Sequence, residues 1–230
     1  MSAKGIRYNS WAREATAGYD RSIMFSVVFE VVPRAGHFDA YLAYAELLKP
    51  EIEGIDGFID NERFASRSYP GRILSHSTWR DEKALVRWRT LAVHHEIQGK
   101  GRSEIFSDYH LRVGEIVTDT HVPAGQHLAQ QRFDVTETGT AKYMTILEVP
   151  AGVPFAEPRA GTRGLVRFDY YESIRHSGNM LVLSAWIDIP QQPSQPRDGV
   201  RRRTVRVIRE YGMYARSEAP QYYADVAAVR

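Results

Sequence analysis

The residues best suited to chemistry cluster in the first half of the chain. Trp88 is followed by the pair His94 and His95, with Gln98 just beyond. An imidazole, with a reference pKa of about 6.5, takes a proton near neutral pH or ligates a metal, and an indole beside it excludes water. On one continuous helix, seven residues from Trp88 bring His95 back to nearly the same face. His95 is therefore expected to face inward and His94 to be turned away. For either histidine the plain alternative is a solvated helix side chain. Glu30, Tyr41, Tyr44 and His76 are further candidates to line a cavity. A carboxylate buried on an apolar strand is pushed up in pKa and can act as a base; at a sheet edge it is only a surface charge.

Such side chains need elements to hold them. Met24–Val32 is apolar and rich in Val and Phe, which predicts a buried strand. Phe38, Tyr41, Leu42, Ala45 and Leu48 recur at helical spacing, predicting a helix over His37–Lys49 that Pro50 ends. Gly57–Arg67 and Arg72–Trp79 read as a hairpin turning at Pro70-Gly71. Strand alternation then sets His76 opposite to Ser75. Asp81 caps a second helix in which Leu85, Trp88 and Ala92 share a face, ended by Gly99 and Gly101. Ile105–Val117 alternates as a fourth strand. The order strand, helix, strand, strand, helix, strand is that of the ferredoxin-like split unit.

A shift of 107 residues lays Gly57–Asp81 over Gly164–Asp188 without a gap, and seven of 25 positions match, among them Gly71/Gly178 and Trp79/Trp186. One or two matches would be usual by composition, about the level of unrelated windows. The favoured reading is a tandem copy. Residues 1–21 read as a polar arm, 22–118 as the first unit, 119–141 as a linker and 142–230 as a second, degraded unit interrupted by Ala151–Gly161 and Pro190–Pro196. Two such sheets bury their bare faces against each other in a barrel-like core.

Composition removes whole classes of function. The chain of 230 residues has no cysteine, a formal charge of +2, 43% hydrophobic and 25% charged residues. It can bury a sizeable core, but it has no disulfide framework, thiolate metal site or thiol nucleophile. No HExxH, GxSxG or phosphate-cradling glycine loop is present. The basic run Arg201-Arg202-Arg203 with Arg206 and Arg209 accompanies no nucleic-acid-binding motif and reads as the solvated face of a strand or short helix. No apolar run reaches the roughly 20 residues of a membrane helix. The first residues lack the apolar core of a secretion signal, so a cytoplasmic location is expected.

The run Arg72–Ile116 resembles antibiotic biosynthesis monooxygenase domains of the dimeric α+β barrel superfamily. It shares a strand ending in Trp79, a helix opening Arg80-Asp81-Glu82, Trp88, a His, Gln98, Gly101-Arg102, and the strand with Asp108-Tyr109. With Met24–Gly57 the resemblance covers about residues 22–118. The two-unit organisation also looks like that of chlorite dismutases. The resemblance implies that Trp79 lines a cavity, although a core anchor is its plain reading, and it aligns the family's histidine with His94. It implies an Asn where this chain has Ser75, and a Tyr where it has Phe64. It further implies chemistry without a cofactor in some members and haem bound through a helix His in others.

The expectation is therefore an α+β protein of tandem ferredoxin-like units, with antiparallel sheets packed as a dimeric α+β barrel. It would be a monooxygenase taking a small aromatic compound and dioxygen into a buried cavity without an organic cofactor. The alternatives are haem b on His95, or a non-catalytic binding or assembly module. Candidate catalytic residues are His95, His94, Trp79 and Ser75; candidate pocket residues are Trp88, Phe64, Tyr41 and Glu30. No metal, nucleic acid or membrane partner is expected, and a homodimer is.

Overall fold

The computed structural model describes residues 24–130, 132–155, 158–191, 198–223 and 226. The arm expected at 1–21 lies outside the described residues, as does most of the Pro190–Pro196 interruption.

The strands are β1 (Phe25–Pro33), β2 (Phe58–Ser66), β3 (Ile73–Trp79), β4 (Phe106–Asp119), β5 (Tyr143–Val149), β6 (Leu165–Ser173), β7 (Met180–Trp186) and β8 (Arg201–Gly212). They close a barrel in the order β1-β3-β2-β6-β7-β5-β8-β4, β4 pairing back onto β1. Within each half the order is fourth, first, third, second, the ferredoxin-like arrangement. The tandem-unit fold read from the sequence is thus the fold observed. One seam is long, β4 with β8 from His110↔Gly212 to Asp119↔Arg203. The other, β2 with β6, is short, from Phe64↔Ser173 to Ser66↔Tyr171.

Gly71 and Gly178 turn the two matching hairpins at φ +82° and +84°, a backbone that L side chains rarely adopt. Trp79 and Trp186 end the matching strands β3 and β7, opposite Phe25 and Tyr143.

Among the described residues the helices lie in the first half: α1 (Phe38–Leu47), α2 (Lys49–Glu53), α3 (Glu82–Thr90) and α4 (Ala92–Lys100), followed by a π-helical turn at Gly101–Ile105. The first helix stops at Leu47, and Pro50 sits in the first turn of α2. There its missing N–H removes no helical bond. Asp81 caps α3 as expected, its Oδ1 accepting from the Ala84 amide at 2.7 Å. The single second helix is in fact two, because Leu91 is extended (φ −61°, ψ 128°) and serves as C-cap of α3 and N-cap of α4.

Strand alternation splits β1 between two cores. Met24 and Val28 point into the barrel with Phe64, Leu74, Tyr171, Leu181 and Val205. Phe25 and Val27 face the helices with Trp79, Ala84 and Leu85. The barrel interior also holds charge. The basic run of β8 is a strand, but its expected solvation is overturned: Arg203 and Arg206 are 1% and 4% exposed. Arg203 donates to Glu148 at 2.5 Å and to Thr78 at 3.1 Å, and Arg206 pairs with Glu115. Barrel closure turns Arg203 inward, while Arg206, between the core residues Val205 and Val207, is buried on the outer face with Glu115, opposite Phe25. Acids on neighbouring strands make both burials tolerable.

Candidate active site

Between the helices and the outer face of the first-half strands lies a cavity of about 460 Å³. Its floor crosses β8, β4, β1, β3 and β2 in that order. The middle of the floor is apolar, with Val27, Phe29, Leu111 and Val113, and Trp88 closes it from α3. Polar side chains stand at the two ends of this floor: Asn61, Arg63 and Ser75 on β2 and β3, and Arg209 and Tyr211 on β8.

At the β2–β3 end, the Asn61 amide donates to Ser75 Oγ and to the His76 carbonyl, both at 2.9 Å. Asn61 therefore fills a lone pair of Ser75 and leaves the serine proton free to donate into the cavity. The sequence reading missed Asn61. Its signal was the hairpin register, since counting back from the Gly71 turn sets Asn61 opposite Ser77 and Arg63 opposite Ser75. Tyr41, 7% exposed, lines the same chamber. Burial pushes its hydroxyl pKa up, and the hydrogen bond and charge of Arg63 partly offset that.

Trp88 and His94 form the roof pair. Their rings stack at 3.8 Å between centroids and 16° between planes. His94 Nδ1 donates to the Trp88 carbonyl at 2.9 Å, which leaves Nε2 as the acceptor, 3.3 Å from the Gln98 amide nitrogen. Burial lowers the His94 pKa to about 4, so the ring is neutral at physiological pH.

Four expected placements differ. His95 is exposed on the outer face of α4, its ring against Tyr223 at 5.0 Å. The seven-residue return from Trp88 assumed one helix, and the extended Leu91 breaks the phase. Trp79 is fully buried beside the cavity rather than lining it. Its Nε1 donates to Ser77 Oγ at 2.9 Å, and Phe58 packs edge-on at 5.4 Å. Phe64 and Glu30 face the barrel interior, on the opposite side of the sheet.

Glu30 is neither a base nor at a sheet edge. It accepts from Arg112 Nη1 at 2.6 Å and the Tyr171 hydroxyl at 2.7 Å, and pairs with Arg167. Burial pushes its pKa up, but Arg167, Arg112 and the Tyr171 hydrogen bond outweigh burial and hold it at about 2.

A haem would need an imidazole nitrogen with open space before it. His95 points away from the chamber, while His94 Nε2 is met by Gln98 and the ring lies flat on Trp88. As arranged, these residues do not fit a haem ligand. Among the described residues no group of three or more His, Asp or Glu side chains is placed to hold a metal ion. No helix there is long and apolar enough to cross a membrane.

The fold defines an α+β barrel protein whose helices cover a cavity on the outer face of the sheet. The profile of the antibiotic biosynthesis monooxygenase family matches residues 24–100. The chain is 42% identical over 213 residues to jasmonate monooxygenase ABM of Pyricularia oryzae, covering 87% of this chain and 98% of that one. It belongs to the antibiotic biosynthesis monooxygenase family and is a monooxygenase of that class. Among solved structures, protein SO0527 of Shewanella oneidensis is 18% identical over 41% of this chain and 91% of its own, at a TM-score of 0.39. Aldoxime dehydratase is 10% identical over 81% of each chain, at 0.47.

Proposed function

We propose that the helix-side cavity is the reaction chamber of a monooxygenase that oxidises a small, largely apolar ring compound with dioxygen and without an organic cofactor. The observation that carries this reading is the cavity itself. Its volume of about 460 Å³ suits a small organic molecule, and an apolar wall with a few polar groups is the usual form of such sites. Excluding water protects reduced oxygen species from leakage and strengthens each polar contact inside.

In this reading Trp88 and His94 press the substrate onto the Val27–Leu111–Val113 floor. His94 Nε2 accepts a hydrogen bond or proton from an acidic C–H or O–H of the substrate. Ser75, oriented by Asn61, donates its proton to the oxygen partner. Trp79 is a positioning residue that acts through Ser77, and His95 lies outside the chemistry. With no outside reductant the balanced reaction converts a methylene to a carbonyl: CH₂ + O₂ → C=O + H₂O, the substrate supplying all four electrons. Hydroxylation would take two more electrons and two protons from an external donor.

The relative's name makes jasmonate the first substrate to test. The purified protein is given jasmonate or an electron-rich phenol in an oxygen electrode, with and without NADPH, and products are weighed by mass spectrometry. The expected result is stoichiometric oxygen uptake and one added oxygen atom without NADPH, with kcat/KM falling at least about tenfold in Trp88→Ala. That loss matches removal of a buried aromatic contact. Turnover only with NADPH overturns the cofactor-free part; no uptake with either compound class overturns the whole. The barrel closes within one chain, so the expected homodimer would join two complete barrels, as light scattering would show.

A further inference from the structure

We infer that the β8 end of the cavity, built from Arg89, Arg209 and Tyr211, is an anion subsite that fixes the carboxylate of an apolar organic acid and so selects acids over their neutral esters.

The charges of the chamber argue for it. Three of the buried arginines have carboxylates, Arg112 with Glu30, Arg203 with Glu148 and Arg206 with Glu115, and Arg102 donates to the Tyr109 hydroxyl and the Met213 carbonyl. The acids on the cavity wall are likewise engaged, Glu53 with Lys49, Asp60 with Arg201 and Glu82 with Arg132. Arg89 of α3 and Arg209 of β8 line the same cavity and face no carboxylate within ion-pair distance among the described residues. Arg89 Nε is buried with no hydrogen-bond partner there. The Nε atoms of Arg112, Arg203 and Arg206 are likewise without a hydrogen-bond partner, but each of those guanidinium groups has a carboxylate on a terminal nitrogen and Arg89 has none among the described residues. An unpaired guanidinium N–H is costly to bury.

The geometry gathers these groups at one spot. Arg209 and Tyr211 stand two residues apart on β8, paired opposite Val113 and Leu111 of the floor, and the Arg216 guanidinium lies 5.9 Å from the Tyr211 ring centroid. Burial and Tyr109 raise the Tyr211 hydroxyl pKa to about 12, and Arg89, Arg216 and Arg209 act in the opposite sense. Arg216 is already held by the Tyr109 hydroxyl at 2.7 Å and the Gln221 carbonyl at 2.8 Å. Arg89 and Arg209 remain, with a neutral phenol beside them that donates one hydrogen bond. Two positive forks and a hydroxyl donor in a water-poor end are the complement of a carboxylate. The backbone holds the site in place, because Gln221 Nε2 donates to the Arg89 carbonyl at 2.9 Å and Arg209 is paired opposite Val113.

Arg63, at the far end of the floor, is the competing candidate, since its Nε is also buried without a partner. Its guanidinium, however, already serves the Tyr41 hydroxyl. The β8 end has two guanidinium groups without acids. The subsite rests on the reading of the cavity as the substrate chamber and adds to it the substrate's charge and orientation.

The test is isothermal titration calorimetry on the full chain with two acid–ester pairs, jasmonate with methyl jasmonate and 1-naphthoate with methyl 1-naphthoate. The expected result is that each acid binds at least about tenfold tighter than its ester, the scale of one hydrogen bond to a charged group. Arg209→Gln and Arg89→Gln should erase that ratio while ester binding stays. Tyr211→Phe, which removes a single oxygen and keeps the fold, should cut the ratio severalfold. Arg63→Gln should leave it intact. Equal binding of acid and ester by the native protein overturns the anion subsite and leaves the chamber standing. A ratio lost in Arg63→Gln and kept in Arg209→Gln overturns its placement. No binding of any of the four overturns both readings. Tight acid binding without oxygen uptake supports the subsite and counts against the reaction.

Discussion

At the residue scale, His94 is the cavity-lining histidine whose pKa departs from its ordinary value. Its pKa is lowered to about 4 by burial. If it accepts the substrate proton, kcat/KM should rise through about pH 4 and stay level above, with no inflection near 6.5, and His94→Ala should abolish that limb. The same shift bears on stability. Unfolded His94 binds a proton below its ordinary pKa of 6.5, whereas the folded ring does not until about 4, so stability falls as pH drops through that window. Glu30 works in the same direction lower down. Its folded pKa of about 2, against 4.5 in the free group, gives stability that is full above 4.5 and lost as pH falls towards 2. Glu30→Gln leaves Arg112 and Arg167 without their carboxylate and should destabilise by about 3 kcal/mol in urea unfolding. The residue types at these positions were legible. Their environments were not, because burial and partners come from strands far apart in the chain: Arg167 is 137 residues from Glu30.

At the element scale, the α3 cap and the β4–β8 seam make separate predictions. Asp81→Ala removes the acceptor for the Ala84 amide and should cost about 1 kcal/mol. Gly114→Ala is more severe. A Cβ there would sit 2.3 Å from the Arg206 carbonyl oxygen and 2.5 Å from Val205 Cγ1. Backbone cannot yield at that distance, so the seam must shift, and a loss of about 2 kcal/mol or more is expected from thermal unfolding. The strands were legible from alternation and the hairpins from their turn glycines. The break at Leu91 was not, since neither Gly nor Pro marks it, and that single extended residue exchanged the placements of His94 and His95.

At the scale of the whole molecule, barrel closure is uneven. The β2–β6 seam spans only Phe64–Ser66 against Tyr171–Ser173, while β4–β8 runs along most of both strands. Native-state hydrogen exchange should therefore find the β2–β6 amides opening at lower free energy than those of β4–β8. Equal protection at the two seams would contradict this account.

The sequence by itself determined the strands, the tandem arrangement and the family, because these follow from local periodicity, turn chemistry and a motif spacing carried within one half of the chain. It also supplied the roof pair of Trp88 and an adjacent histidine. Only the tertiary structure decided which histidine faces the chamber, that Trp79 stands behind its wall, that Glu30 and Phe64 fill the barrel instead, and that Asn61 and the β8 arginines meet the cavity. Those outcomes depend on strand register across the closed barrel and on one backbone angle at Leu91, and neither is written in the spacing of residues along the chain.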